Sequence, residues 1–415
     1  MTLNFWKLLS GRIFSNVGDC FFNVSLIWLI YHITGNTFYT GITGFLVLTP
    51  MMLQFLAGPL IEKFDKKKLL IATEAGQIMT VIAAFSLYTT VWHHVLAFIV
   101  FTPVVAILSL FSNPAEMTLI PRFVASQKLS SANALMNITY QTLQIVFTAL
   151  VGAMLIFFNP LHLYLFSVLF NVCSAACFFL IRMDPRVIRH EDSDKKTLKD
   201  MLSDYTRSLV SGFTSVRQSF ISRFIPATMI CNMLFGMLNA VLPAYAEGCG
   251  GAQWFGFYQS AETLGMLAGA ALAPVLKNIP LGKLTAGSFF ISGIVWLFSY
   301  FTGNTIISLA LYAASFPAIG VTNILFVTAI QRAVPGDQLA QVYTIIISAG
   351  SCAMPLGSLA GGQIAYLWGV TPAFTGLGLS FLFLSIYWFS QKILRHMPPA
   401  DQLGTGAYTI SAKAE

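Results

Sequence analysis

Apolar residues fill this chain in long, nearly unbroken stretches, and polar residues gather in short segments between them. A stretch of about 18 or more apolar residues is long enough to cross a bilayer as a helix, and twelve such stretches can be drawn. The first six cover roughly 8–31, 41–61, 69–90, 95–119, 133–157 and 161–181. The second six cover roughly 221–246, 254–276, 284–301, 304–329, 341–366 and 371–391, with Thr302-Gly303-Asn304 dividing the ninth from the tenth. The first stretch is too long for a cleavable leader and lacks a small-residue cleavage site, so it is expected to remain as a span. The pattern predicts an all-α membrane protein with twelve transmembrane helices.

One long polar segment, 182–220, interrupts the series at its middle. It divides the chain into an N-terminal bundle (1–181), a central linker (182–220), a C-terminal bundle (221–395) and a tail (396–415). Within the linker Leu198, Leu202, Tyr205, Leu209 and Phe213 recur at helical spacing. That suits an amphipathic helix on the membrane face, and a solvated linker serves equally well. The halves echo each other: Ile120-Pro121-Arg122-Phe123-Val124 lines up with Ile330-Gln331-Arg332-Ala333-Val334, and Pro59 to Leu69 with Pro274 to Leu284. A duplicated six-helix unit is therefore expected, giving two pseudo-symmetric bundles.

Composition excludes most other classes. Of 415 residues, 56% are hydrophobic and 9% charged, and the mean hydropathy is +0.73. Soluble proteins carry about 25% charged residues, so an ordinary soluble enzyme, a disordered chain and a nucleic-acid binder are ruled out. The net charge of +7 finds its meaning in placement. All 23 Lys and Arg fall in or beside one alternate set of loops and the two ends, and loops such as 32–40 and 246–253 hold none. The positive-inside rule puts the cation-rich side in the cytoplasm. The expectation is an inner-membrane protein with both termini cytoplasmic, lipid for a surround and no nucleic-acid partner. The six cysteines show neither CxxC nor zinc spacing and read as small packing residues.

Charged groups inside a bilayer are costly and mark transport pathways. Asp19 lies near the middle of the first run and Glu262 well inside the eighth, which makes them the leading carboxyls for proton or cation coupling. Burial favours the neutral form of a carboxyl, so such a group can load a proton on one side and release it on the other. For Asp19 a hydrogen bond to Asn16 or Asn23 is the competing structural reading. Glu116 is a third coupling candidate, with pairing to Arg122 or the lysines of 63–68 as its structural alternative. Glu74 and Glu247 are expected at the interface. Arg12 is placed at the edge of the first run, so no cation is expected deep in a span, and neutral or cationic cargo fits better than anionic cargo. Phe (36 residues) and Met (15) with scattered amides suit an adaptable greasy cavity. Asn23, Gln141, Gln144, Asn232, Asn239 and Gln259 are its candidate polar lining. Pro355, Gly357, Gly361 and Gly362 make the eleventh run a candidate gating hinge.

The segment Gly58-Pro59-Leu60-Ile61-Glu62-Lys63-Phe64-Asp65-Lys66-Lys67-Lys68-Leu69 resembles the loop 2–3 signature of the major facilitator superfamily, a glycine, an acid and a basic cluster. It departs from it in carrying Glu62 where Asp is usual and Asp65 where Gly is usual. Asp65 ahead of three lysines is closer to the macrolide-efflux branch of drug–proton antiporters. Gly265-Met266-Leu267-Ala268-Gly269 and Pro355 to Gly362 point the same way. The resemblance implies a transporter working by alternating access, with Gly58, Glu62, Asp65, Lys66 and Lys67 as a latch between conformations. A basic cluster holding anionic headgroups is the plainer reading of that loop.

No arginine or lysine lies in 95–119, where many proton-coupled antiporters of that superfamily place an arginine. The chain carries no HExxH, GxSxG or phosphate-binding loop, so neither an enzyme, a cofactor, a metal nor ATP-driven transport is expected. The best reading is a secondary exporter of amphipathic neutral or cationic small molecules, acting as a monomer by proton antiport. Export of one endogenous product, such as a siderophore or a lipid, and uniport without protons are the alternatives. A receptor without flux fits a duplicated two-half design less well.

Overall fold

A computed structural model describes residues 2–52, 64–125, 128–182, 219–334 and 336–403. Among them every regular element is helical. The first six runs become α1 (Leu3–Thr34), α2 (Thr37–Met52), α3 (Lys66–Leu87), α4 (Leu96–Phe123), α5 (Leu129–Met154) and α6 (Pro160–Phe179). The second six become α7 (Ile221–Cys249), α8 (Ala252–Leu276), α9 (Leu281–Phe301), α10 (Thr305–Ser315), α11 (Pro317–Ala333), α12 (Gly336–Trp368) and α13 (Val370–Ser390), followed by the single turn α14 (Lys392–Arg395). The tenth run is thus two helices, broken at Phe316 before Pro317, because proline removes a ladder donor. Ten of these spans are long and apolar enough to cross a membrane; Thr37–Met52 is a shorter apolar helix. The chain is a multi-pass, all-α membrane protein.

Short polar residues set the helix ends. The Asp65 side chain accepts from the Lys68 amide at the start of α3, and Asn159 caps α6 with Pro160 in the first turn. Asn304 accepts from the amides of both Ile306 and Ile307 at the start of α10. Each satisfies donors that a helix N-terminus leaves open. Gly303 ends α9's turn at φ 66°, a left-handed conformation that favours glycine.

The chain forms two compact units, Met1–Asp204 with Gly250–Gly256, and Tyr205–Cys249 with Phe257–Glu415. Their internal packing repeats. In the first unit α1 packs on α5 and α6, and α3 on α6; in the second α7 packs on α12 and α13, and α9 on α13. The α7–α12 seam is built by glycine: a Cβ on Gly361 would stand 2.6 Å from Met237 Cα. Helices without a side chain at the contact approach closely, as membrane helices commonly do.

The segment expected as a tail does more than trail. The amides of Leu281 and Gly282 donate to the carbonyls of Pro398 and Met397, and Met397, Ala400 and Leu403 are buried. Asp401 reaches Arg332 at 3.3 Å and Lys277 at 4.0 Å. Residues 396–403 therefore strap the cation-rich end of the second unit. Most of the proposed amphipathic helix, 198–218, lies outside the described residues.

Candidate functional site

The core of the first unit is layered along α1. Phe5, Leu8 and Leu9 join one apolar cluster with Leu70, Leu119 and Phe178. Phe22, Leu26 and Leu29 join another with Val81, Phe98 and Tyr164. Between them α1 carries Arg12, Ser15, Asn16 and Asp19, α3 carries Thr73, Glu74 and Gln77, and α6 carries Asn171 and Ser174. These polar groups form a belt between two greasy layers; Arg12, Asn16 and Asp19 on α1, Glu74 and Gln77 on α3, and Asn171 and Ser174 on α6 recur one turn apart and so share a face of their helix.

Arg12 is central to the belt. Its Nε stands 3.4 Å from Glu116 Oε2 and its Nη1 3.4 Å from Oε1, a two-point fork that fixes both side chains. The Tyr140 ring of α5 lies 5.5 Å from the guanidinium, a cation–π distance. Two expectations are corrected here. Glu116 pairs with Arg12, not with Arg122 or the 63–68 lysines. Arg12 is a buried cation inside a span, because α1 begins at Leu3 and puts Arg12 more than two turns in. Glu74 is a third correction: it is fully buried, not interfacial. Both its carboxyl oxygens lack a hydrogen-bond partner, as do both amide atoms of Asn16, while the hydroxyls of Ser15 and Ser174 are within interaction range of Glu74.

Asp19 lies two turns along α1 from Arg12 and interacts with it electrostatically. With Asn23, Phe22, Val47, Pro50 and Ser109 it lines a cavity of ≈ 200 Å³. Asn23 donates to the Asp19 backbone carbonyl at 2.9 Å, so the amide is tied to its own helix and the cavity is left to the carboxylate. Of the α5 glutamines, Gln144 donates to Thr148 at 3.3 Å and sits 3.7 Å from Cys20 Sγ; Gln141 is partly buried. Cys20 is thus a polar contact as well as packing.

In the second unit Asn232 and Asn239 each donate to the carbonyl one turn back, of Thr228 and Phe235. Glu262 of α8 interacts with the Tyr312 hydroxyl of α10, and Gln259 is partly exposed on the same helix. Pro355 sits inside a continuous α12. There Gly357 and Gly361 press on Met233 and Met237 of α7, and Gly362 is buried beside them.

Of the loop read as a latch, Gly58 and Glu62 lie outside the described residues. Asp65 caps α3, and Lys66 is buried. Lys67 donates to the Ile181 carbonyl at 2.7 Å and covers the Phe179 ring, where a cation suits the carbonyl-rich end of α6.

The comparisons with known proteins agree with this architecture. The chain is 26% identical over 385 residues to an uncharacterised MFS-type transporter, YvqJ, of Bacillus subtilis (strain 168), covering 88% of this chain and 87% of that one. It is 24% identical over 395 residues to the staphyloferrin A transporter of Staphylococcus aureus (strain NCTC 8325 / PS 47), covering 91% and 94%. The fold is similar to a crystal structure of the peptide transporter POT in complex with sulfate, with a TM-score of 0.68 at 14% identity over 96% of each chain. Residues 8–354 match the family described as Major Facilitator Superfamily, and with the two helical units this identifies the chain as a membrane transporter, not an enzyme, belonging to that superfamily.

Proposed function

We propose that this transporter exports amphipathic neutral or cationic small molecules by alternating access, in exchange for protons, as in the macrolide-efflux branch that its 58–69 loop resembles. The observation that carries the reading is Asp19, a carboxylate on the wall of a ≈ 200 Å³ cavity otherwise lined largely by apolar groups. A buried Arg12 would favour anionic cargo if it were unspent. Glu116 spends it, so the charge facing the cavity is that of Asp19. A carboxylate there binds either a cationic ligand or a proton, and that competition is what antiport requires. Glu62 and Asp65 with their lysines serve as the latch in this scheme, and Gly357 to Gly362 as the flexing segment.

The test is transport of a lipophilic cation such as tetraphenylphosphonium in everted vesicles under an imposed pH gradient. Wild type accumulates the probe uphill, and Asp19→Asn, inserted and folded, does not. Undiminished accumulation by Asp19→Asn overturns the assignment. The similarity to the staphyloferrin A transporter favours a second reading, dedicated export of one endogenous product such as a siderophore. Loss of product export in a deletion strain, with unchanged tolerance to lipophilic cations, would select it.

A further inference from the structure

The Glu74 carboxylate of the first unit's polar belt is left over, and helix register shows what surrounds it. Between α1 and α6 the Phe178 ring takes the place that a Cβ on Gly11 would fill, and Asn171 Oδ1 takes that of Gly18. Between α3 and α6, Asn171 Nδ2 donates to Gln77 Oε1 at 3.4 Å, while Leu70 and Phe178 join one apolar cluster. Helices α1 and α3 therefore both run antiparallel to α6. Ser15 falls midway between Gly11 and Gly18, Glu74 midway between Leu70 and Gln77, and Ser174 midway between Asn171 and Phe178. The register brings Ser15, Glu74 and Ser174 to one level, with the Asn171–Gln77 pair one turn away.

Charge and hydrogen bonding are both unbalanced at this level. Among the described residues the belt carries three acids, Asp19, Glu74 and Glu116, against one cation, Arg12, whose fork is on Glu116. Glu74 and Ser174 are 0% exposed, Ser15 and Asn171 3%. Both Glu74 carboxyl oxygens, Ser174 Oγ and Asn171 Oδ1 are buried without a hydrogen-bond partner. Asn171 spends its amide nitrogen on Gln77, so it presents its oxygen toward α1. Buried charges are paired or coordinate a metal, and otherwise neutralise. A proton on Glu74 would serve one of these oxygens; a cation among them serves all of them at once.

We propose that Glu74, Ser174, Asn171 and Ser15 hold a sodium ion between α1, α3 and α6, at a site distinct from the Asp19 cavity. Hard cations take oxygen ligands, and one carboxylate with hydroxyl and amide oxygens matches a single positive charge. Among the described residues no three His, Cys, Asp or Glu side chains group as metal ligands, so a transition metal finds no cage here. The close approach of α1 to α6 at Gly11 and Gly18 leaves room for a small ion, which favours sodium over potassium. Apolar clusters cover the level on both sides, Leu70 with Phe178 on one and Val81 with Tyr164 on the other. The ion ties three helices together, and its site does not depend on the proton reading of Asp19.

Thermal unfolding of the full chain in detergent, at fixed pH and ionic strength, tests the site with sodium chloride against potassium and choline chlorides. A ligand that binds only the folded protein raises its unfolding temperature as its concentration passes its Kd. Wild type is expected to rise with sodium and to stay level in potassium or choline. Glu74→Gln, which keeps the shape and removes the charge, is expected to lose the sodium response. Ser174→Ala is expected to need at least about tenfold more sodium for the same rise. If either variant fails to fold, radioactive sodium bound to wild type, displaced by unlabelled sodium and not by potassium, reads the site directly. A wild type indifferent to sodium, an equal response to potassium, or no displaceable binding overturns the site. Loss of the response in Asp19→Asn with its retention in Glu74→Gln also overturns it, moving the ion to the Asp19 cavity and leaving Asp19 as the coupling carboxyl.

Discussion

Arg12 and Glu116, 104 residues apart in sequence, hold each other in a two-point ion pair at 3.4 Å. The pair joins α1 to α4 with the arginine 7% and the glutamate 2% exposed. Burying two charges is costly, and removing one partner strands the other. Arg12→Met is therefore expected to destabilise the protein by about 3–5 kcal/mol. Arg12→Met with Glu116→Leu should recover most of that, read as thermal unfolding in detergent. A double variant no more stable than the single would show that the pair's geometry is not what the belt depends on.

The α7–α12 seam predicts a contrast between two glycines. Gly361→Ala would drive a methyl into the Met237 backbone and is expected to cost about 1–3 kcal/mol by overpacking. Gly376→Ala on α13 meets nothing within 4 Å and should be neutral or stabilising by up to about 1 kcal/mol, the helix-propensity difference. Unfolding midpoints of the two variants, measured side by side, check the pair.

Asn304 is the sole acceptor shown for two amides at the start of α10. Asn304→Ala should cost about 0.5–2 kcal/mol, and Asn304→Asp should restore most of it. Hydrogen exchange at Ile306 and Ile307 reports the loss directly, with faster exchange expected only in the alanine variant.

Asp401 sits 39% exposed between Arg332 and Lys277, where ion pairs contribute about 0–1 kcal/mol. Asp401→Ala is expected to leave the unfolding temperature almost unchanged. Truncation after Arg395 should lower it clearly, since it uncovers the Leu281 and Gly282 amides and removes buried Met397 and Ala400. Equal effects of the two changes would assign the strap's contribution to charge instead of backbone pairing.

The fold was legible because a bilayer leaves so few options: each apolar run had to be a helix, and the sorting of Lys and Arg set the number to expect. What misled was the end of a run. Hydropathy began the first span at residue 8 and so placed Arg12 at an edge, whereas the helix starts at Leu3 and buries it. Its position two turns before Asp19, on the same face, was the available signal. Glu74 was misplaced in the same way, since α3 begins at Lys66, a turn before the apolar run. The contacts of Tyr245 and Tyr258 with Ser308 left no mark in hydropathy, because Ser and Tyr are common in spans and only the packing of α7 and α8 on α10 brings them together. Pro317 did mark the break in the tenth run, and reading it as a helix start would have found α11.

The strap at 396–403 bears on how the chain is made. The amides it covers, on Leu281 and Gly282, are synthesised long before the carbonyls of Met397 and Pro398 that receive them. The second unit thus cannot close its cation-rich end until the residues that follow α13 have been made. Its last contacts wait for residues still inside the ribosome tunnel when α13 enters the bilayer. A nascent chain halted short of Met397 would leave the translocon with that end unsealed, its Leu281 and Gly282 amides without the carbonyls that receive them.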